Sequence, residues 1–451
     1  MTFTEFKQEL FAKAKDKGFT DYEIYFAGNN SFSVRVFDQE ISEYKSTVSQ
    51  GVGFRGTFGG KMGYASSEKM DASIIEMMLE NAAANAGIIE DEAVEKLYPG
   101  DESYPEVVTF NPALDDVTAE EKIKMAMEME TYAKSLDPRV KMADFCTIGS
   151  QESEVAIANS YGLDLNKKLN LASAVLIARV EEDGSNKSAM EIWTGRDFAD
   201  FDYKAHAQKA VDKALSNLGA KPIPSGAYPI IFDNRTARDL FSVFSGIFMA
   251  ENGQKGFSLL NKNRVGEVIA APHITLRDDG VCDLSLGSFS FDAEGVATKQ
   301  KAIIENGELK TLLYNLKSAE KDGVKSTGNA AKASIGGAIT TSTTNYYLVP
   351  SETSFDELIS GVENGVLITD MAGLHSGVNP VSGDFSVSAD GFLIENGKKT
   401  KPVEQITIAG NFFDVLKNIT AVGGDLKFHS TGHGGVGMPS IVVDGIRVSG
   451  L

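Results

Sequence analysis

The hydrophobic pattern of this chain changes repeatedly between helical stripes and segments in which every second residue is apolar. Phe3, Phe6, Leu10 and Ala14 recur at helical spacing, whereas residues 31–36 alternate strictly. Glycine occurs 44 times against 12 prolines, which favours many tight turns between strands. Helices that alternate with glycine-interrupted, period-two segments predict an α+β fold built on antiparallel sheets.

Breaks in this pattern divide the chain into units. A stretch with three prolines (Pro99, Pro105 and Pro112) lacks either periodicity and predicts a linker, and a capping box formed by Thr118 and Glu121 begins the next helix. We predict N-terminal α/β units of antiparallel sheet and helices followed by a β-rich C-terminal domain. The predicted boundaries are residues 1–98 for the first unit, 99–117 for the linker, 118–220 for the middle unit and 221–451 for the C-terminal domain.

Local patterns predict individual elements within these units. Strands are expected at residues 140–148 and 154–159, and an apolar helix is expected at residues 236–250. Asn306-Gly307 and Asn396-Gly397 each lie between strand-like residues. Both positions of such a pair tolerate positive φ, so each pair predicts a tight hairpin turn.

The charge balance excludes several classes of partner. The 63 acidic and 43 basic residues give a formal charge of -20, which would repel nucleic acid. No apolar run approaches the roughly 20 residues of a membrane span, and the charged first ten residues differ from a signal peptide. We therefore expect a cytoplasmic protein without a membrane or nucleic-acid partner. Cys146 and Cys282 are far apart in sequence, which favours two buried, inert thiols.

Most motifs associated with catalysis are absent or lack their context. Residues 51–56 fit GxGxxG, but strand-like sequence follows them where a dinucleotide site needs a helix, so a hairpin is favoured. No GxSxG string is present. The four carboxylates that lie near glycine turns could form an acid and base pair or could hydrogen-bond within turns; they are Asp292, Glu294, Asp384 and Asp390.

The chain has five histidines, and two of them have a spacing that suits a metal. His429 and His433 are four residues apart, and His375 is the other obvious donor for such a site. Their glycine-rich surroundings are a poor helix, and no glutamate lies between them to act as a base. Turn histidines are the alternative. His206, within a predicted helix, is expected at the surface or half-buried.

An ordered series of motifs resembles the TldD/PmbA family. The motifs are FDAEG at residues 291–295, IENGELK at 304–310, STGNA at 326–330 and GVNPVSGDFS at 377–386. The ending from Gly437 to Gly450 also fits. The resemblance implies a cytosolic, dimeric α+β protein. It also implies a zinc peptidase that acts on unfolded or short peptides when TldD and TldE (PmbA) subunits associate.

The zinc ligands that the resemblance implies for TldD-type members have no counterparts in this sequence. In TldD-type members the helix at the start of the C-terminal domain bears HExxxH, but residues 240–250 here read LFSVFSGIFMA, without His, Asp, Glu or Cys. The cysteine ligand expected near the C-terminus is also missing, because both cysteines precede residue 283. No cofactor is therefore expected in this chain, and zinc is expected in the partner subunit.

These observations predict a metal-free accessory subunit of a TldD/TldE-type zinc metallopeptidase, which completes a peptide channel for a metal-bearing TldD-like partner. Within the family-like segment, we assign Asn379, Gly383, Asp384 and Phe385 to that channel. Two alternatives remain. One is an independent hydrolase with an unconventional site of His375, His429 and His433, and the other is a non-enzymatic homodimer that binds peptides or another protein.

Overall fold

The computed structural model describes residues 1–88, 96–430 and 434–451. The N-terminal half is built on a six-stranded antiparallel sheet with strand order β3-β2-β1-β4-β5-β6. The first and middle predicted units each contribute three strands to it. The strands are β1 (Tyr22–Phe37), β2 (Glu40–Phe58), β3 (Lys61–Ser67), β4 (Val140–Asn159), β5 (Asp164–Glu182) and β6 (Ser185–Gly195).

Four helices pack on one face of this sheet. They are α1 (Phe3–Lys17), α2 (Ile75–Ile88), α3 (Ala119–Ser135) and α4 (Tyr203–Ser216). The even-numbered residues of β1, such as Ile24 and Val34, are buried under them, because successive side chains of a strand point to opposite faces. The odd-numbered residues near the start of β1, including Tyr25, face the C-terminal domain, where Tyr25 packs with Phe291.

The C-terminal domain combines a barrel and a second sheet. The barrel strands are β7 (Gly226–Phe232), β14 (Asn364–Ala372), β15 (Asp384–Glu395), β16 (Lys398–Asn411) and β20 (Ile441–Ser449), and the pairing of β16 with β20 closes the ring. β17 (Ile419–Val422) extends it beside β20. The second sheet has the order β10-β9-β8-β13-β19-β18. Its strands are β8 (Leu276–Asp279), β9 (Gln300–Glu305), β10 (Glu308–Leu309), β13 (Asn345–Leu348), β18 (Lys427–Ser430) and β19 (Gly435–Met438).

Short helices and a ribbon complete this domain. The helices are α5 (Asn234–Phe244), α6 (Ala250–Gln254), α7 (Leu316–Asp322), α8 (Phe355–Ser360) and α9 (Phe412–Asn418). A two-stranded ribbon is formed by β11 (Ala330–Lys332) and β12 (Ile339–Thr341). One buried apolar cluster joins α5 to the barrel and to the second sheet, so this helix lies at the centre of the domain core. No helix in the described ranges is long and apolar enough to cross a bilayer.

The structure confirms the predicted α+β class and both Asn-Gly turns. Asn306 and Asn396 have φ values of 51° and 54°, and the glycine after each has positive φ as well. Both cysteines are buried, as predicted. The GxGxxG string lies within β2 and opens no helix.

Three local predictions were wrong. The segments 140–148 and 154–159 form a single strand, because β4 pairs continuously with β1 through the intervening residues. The helix predicted at 236–250 ends at Phe244 and continues as a 3₁₀ turn, Ser245–Phe248, that contains Gly246, a residue with low helix propensity. His206 is only 6% exposed, and burial lowers its pKa to about 4.

Candidate functional site

Residues 240–250, the segment that the family resemblance relates to a metal motif, form a packed apolar core. The Phe244 ring stacks on Phe412 with centroids 4.7 Å apart, and the Phe241 ring meets the same residue edge-on at 5.1 Å. Phe248 lies 6.2 Å from Tyr346. Each such buried side chain contributes on the order of 1.5 to 3 kcal/mol.

This segment does not fit a zinc ion. A catalytic zinc site needs three protein donors and an open position for water, and residues 240–250 supply no imidazole, carboxylate or thiolate. The flanking carboxylates are engaged by cations: Asp239 pairs with Arg238 at 2.7 Å and Glu251 with Lys255 at 3.7 Å. Helix α5 and the turn after it therefore stabilise the fold and provide no ligand set.

The histidines proposed as an alternative site lie on different elements. His375 is exposed in the connection between β14 and β15, and His429 is half-buried on β18. Burial lowers the pKa of His429, and nearby Arg238 lowers it further. His433 lies outside the described residues. Among the residues that are described, no group of three or more His, Cys, Asp or Glu side chains could hold a metal.

The residues assigned to the peptide channel span a hydrogen-bonded turn before β15 and the first two residues of that strand. The Asn379 side chain accepts from the Val381 amide at 3.0 Å, and Gly383 has a φ of +85°. The Asp384 carboxylate accepts from Asn411 at 2.8 Å, which lowers its pKa.

The fourth assigned residue belongs to the core. Phe385 is buried, and its ring centroid lies 6.4 Å from that of Phe244. Its side chain therefore packs inside the domain. The two cavities described below are lined by other residues. A channel role for the four assigned residues stays a prediction.

A different set of polar groups is concentrated where the two halves of the protein meet. The loop at residues 291–295 belongs to the C-terminal domain, and side chains from the N-terminal half hold it. Tyr104 Oη donates to Gly295 O at 2.8 Å, and Asp101 accepts from the Ala297 amide at 2.8 Å. We refer to residues 291–297 as the seam loop.

The seam loop contains two buried acidic side chains. Asp292 accepts three backbone N–H groups, from Glu294 at 2.9 Å, Val296 at 3.0 Å and Ala330 at 2.9 Å. Glu294 accepts from the Leu316 amide at 2.8 Å. Burial raises the pKa of both carboxyls, and the charge of Asp292 raises that of Glu294 further.

Of the four carboxylates singled out in the sequence, Asp292 and Glu294 interact closely. Asp292 shows the predicted turn hydrogen bonding, because its carboxylate oxygens accept from backbone amides of the loop that contains it. Asp384 and Asp390 lie on β15, where Asp390 accepts from the Gln405 amide at 3.1 Å. Both of these carboxylates accept from residues of the neighbouring strand β16.

Lys167 on β5 reaches the seam loop from the N-terminal sheet. Its Nζ donates to Phe291 O at 3.1 Å and lies 4.0 Å from the centroid of the Phe289 ring. The Phe291 ring is 4.8 Å away. Removal of the ammonium from water lowers the pKa of Lys167 to about 8. The aromatic faces stabilise the cation, because a ring face carries partial negative charge.

Two cavities flank the β11–β12 ribbon between the halves of the protein. The smaller has a volume of about 720 Å³, and its lining includes Tyr25, Lys167 and Asp292. The larger has a volume of about 1260 Å³, and its lining includes Arg55 and Glu294. Titratable groups with shifted pKa values in concave sites are typical of binding or catalytic sites. We call this region the interdomain cleft.

The glycines of the GxGxxG string make room for the ribbon. A Cβ atom on Gly53 would lie 2.5 Å from Ile335 O, and one on Gly51 would lie 2.6 Å from the Ile335 side chain. Any larger residue would push the ribbon tip away from β2. The string therefore has a packing role at the cleft.

Lys167 was not among the site residues predicted from the sequence. One signal was available in the sequence. Side chains alternate between the two faces of a strand, so Lys167 shares a face with Leu165 and Leu169, where an apolar residue would be expected. The meeting of this face with the seam loop depends on contacts between residues more than 120 positions apart.

Three family models match the chain in order. They are described as PmbA/TldA metallopeptidase domain 1, at residues 22–86, the central domain, at residues 112–218, and the C-terminal domain, at residues 225–450. A crystal structure from Thermotoga maritima, described as a candidate modulator of a DNA gyrase, shares 33% identity and a TM-score of 0.90. The match covers 99% of this chain and 100% of that one.

Two curated proteins of Haemophilus influenzae are similar to the chain at the same level of identity. A metalloprotease TldD homolog is 28% identical over 459 residues, which is 95% of this chain and 93% of that protein. A metalloprotease PmbA homolog is 28% identical over 439 residues, which is 93% of this chain and 90% of that protein. Overall identity to these two proteins therefore does not distinguish a TldD-like from a PmbA-like chain.

Proposed function

Because the chain belongs to the PmbA/TldD metallopeptidase family, we propose that it is the metal-free accessory subunit of a TldD/TldE-type zinc peptidase. It completes a peptide-binding channel for a metal-bearing partner. The observation that carries this proposal is the composition and packing of residues 240–250, which are apolar or small and donate nothing to a metal.

The chemistry of zinc supports this assignment. Zinc acts in peptidases by lowering the pKa of a bound water, and a nearby base then takes the proton. Phe241, Phe244 and Phe248 are fully buried and can do neither. We therefore derive no zinc-dependent step for this chain.

The interdomain cleft supports a role in peptide binding. In the described part of the chain, β12 pairs only with β11, so its other edge is available to an extended peptide. Ile339 and Thr340 on this strand line the larger cavity. Strand addition binds peptides through main-chain hydrogen bonds and tolerates many sequences.

The test compares the isolated chain with its reconstituted complex. Zinc in the purified chain is measured by mass spectrometry, and cleavage of an unfolded peptide is followed by chromatography. We expect zinc well below stoichiometric and no cleavage by the isolated chain. Cleavage is expected after addition of a PmbA/TldD-family subunit that carries HExxxH. Chelator-sensitive cleavage by the isolated chain would overturn the proposal.

The alternatives give different results in the same experiment. An independent histidine site predicts that His433→Ala abolishes activity of the isolated chain, whereas the exposed His273→Ala control leaves it intact. A non-enzymatic homodimer predicts that the chain self-associates and ignores the HExxxH-bearing subunit in analytical ultracentrifugation. A stable mixed complex would argue against that alternative.

A further inference from the structure

The smaller cavity of the interdomain cleft contains a cation whose hydrogen-bonding capacity is incompletely used. An ammonium group has three N–H donors, and Lys167 Nζ uses one of them on Phe291 O. Within residues 1–88, 96–430 and 434–451, no carboxylate oxygen lies within ion-pair distance of this nitrogen. A cation withdrawn from water without a counterion is costly, so the site favours an anionic ligand.

The charges around Lys167 limit which anion fits. Asp292 is the neighbouring carboxylate, and three backbone amides already engage it. The Lys332 ammonium lies 4.8 Å from the Tyr25 ring in the same cavity. Lys167 and Lys332 thus both line this cavity, and the carboxylate beside Lys167 is already bonded to backbone amides, so Lys167 Nζ favours an anionic group on the ligand.

Two further acidic side chains that line the cavity disfavour a polyanion. Glu68 is exposed, and Glu154 is 3.6 Å from Lys168, which is itself about half exposed. A phosphate or nucleic acid with several charges would approach these carboxylates. A monocarboxylate can meet Lys167 while its uncharged body contacts the rest of the cavity.

We propose that the smaller cavity binds the free C-terminal carboxylate of a peptide, with Lys167 Nζ as its charged partner. The volume of about 720 Å³ falls within the range of about 300–1,000 Å³ that is typical of small-ligand sites. This inference rests on the proposed peptide-binding function and specifies which end of the peptide the chain recognises.

The geometry explains why a lysine serves here. The Phe289 and Phe291 rings hold the ammonium at the wall of the cavity, and the bond to Phe291 O orients it. An ion pair formed away from bulk water is stronger than one at the surface. Lys167 therefore acts as a binding residue that touches the ligand, and the seam loop positions it.

The test measures binding by calorimetry to the full-length chain at pH 7. The probes are an acetylated pentapeptide of alanine and valine with a free C-terminus, the same peptide with a C-terminal amide, and an amide peptide that contains one glutamate. We expect the free acid to bind about 10- to 100-fold more tightly than either amide, as a charge-assisted hydrogen bond allows.

The variants assign that preference to one side chain. Lys167→Met keeps an apolar stem of similar length and should bind acid and amide equally. The matched control Lys168→Met removes the neighbouring exposed lysine and should keep the preference. If Lys167→Met fails to fold in a circular-dichroism check, Lys167→Gln replaces it, with the same expectation.

Four results would overturn the inference. Equal affinity of the wild type for the acid and the amide would mean that the chain has no site for a C-terminal carboxylate. Peptide binding, and with it the proposed function, would still stand. Equal affinity for the acid and the glutamate-bearing amide means that a side-chain carboxylate suffices. If Lys167→Met still prefers the acid to the amide, another group of the protein binds the carboxylate. Absence of binding by all three peptides would instead contradict peptide binding by the isolated chain, and the inference fails with it.

Discussion

Helix α5 and the interdomain cleft differ in almost every physical property. The helix and the turn after it are surrounded by aromatic side chains, and Phe241, Phe244 and Phe248 exclude water completely. The cleft contains two cavities, a half-buried lysine and two buried carboxyls with raised pKa values. The region of α5 is packed for stability, whereas the cleft holds polar groups where their burial costs free energy.

This difference indicates where function is located in this family member. Burying a titratable group costs free energy, so a protein that retains such groups in a concave site usually uses them for binding or catalysis. Tight apolar packing, in contrast, contributes stability and leaves no space for a ligand. The contrast yields three predictions.

The largest effect is expected in the core around α5. Phe244→Ala removes a ring that stacks on Phe412, and we expect the free energy of unfolding to fall by about 3–5 kcal/mol. Urea denaturation of both proteins measures the difference. Phe257→Ala, at a position that is 60% exposed, should change the value by less than about 0.5 kcal/mol. Equal losses in the two variants would contradict the assignment of α5 to the core.

A smaller effect is expected where the ribbon meets β2. Gly53→Ala places a methyl group against Ile335 O, so the ribbon must shift, and we expect a loss of about 1–3 kcal/mol in the same assay. The control is Gly87→Ala, at a helical position where the added methyl group meets nothing within 4 Å. That control should be neutral or gain up to about 1 kcal/mol. A neutral Gly53→Ala would show that the ribbon does not depend on this close approach.

The third effect concerns the charge state of the seam loop and appears only as a slope of stability against pH. The pKa of Glu294 is raised from its usual value of 4.5, so the folded protein holds a proton that the unfolded chain has lost. The resulting stability is fully present below pH 4.5 and is lost as the pH rises through the higher folded-state pKa, by at most about 1.4 kcal/mol for each pH unit. Glu294→Gln should show a weaker loss over that interval.

The exposed Glu305→Gln variant is the control for this pH dependence. It should follow the wild-type profile when the free energy of unfolding is measured between pH 5 and pH 9 in urea, a range of about four units around the raised pKa. Identical profiles for wild type and Glu294→Gln would mean that Glu294 is ionised in the folded protein at neutral pH. The cleft would then carry one more negative charge than we infer.

Several local features could be predicted because they depend on neighbours in the sequence. The capping box of Thr118 and Glu121 and the turns at Asn306 and Asn396 follow from short-range hydrogen bonding and from φ preferences. The burial of Cys146 follows from its residue type. His206 was placed wrongly, because its burial depends on packing between α4 and other elements.

The candidate site could be predicted only in part. Asp292 and Glu294 were recognised as carboxylates near a turn, but Lys167 and Tyr104, which donate to Phe291 O and Gly295 O of the same loop, come from distant segments. Burial is the largest cause of the raised pKa values of Asp292 and Glu294. It arises when the N-terminal sheet packs over the seam loop. A local pattern contains no information about that closure.

The sequence alone determined the class of fold, the family resemblance and the apolar character of residues 240–250, because each depends on residue type and spacing along the chain. The tertiary structure decided that Lys167, Asp292 and the glycines of β2 meet at one cleft between the two halves. It did so because solvent exclusion and electrostatic interactions depend on distance in space, and the chain brings these groups together only when both halves are packed.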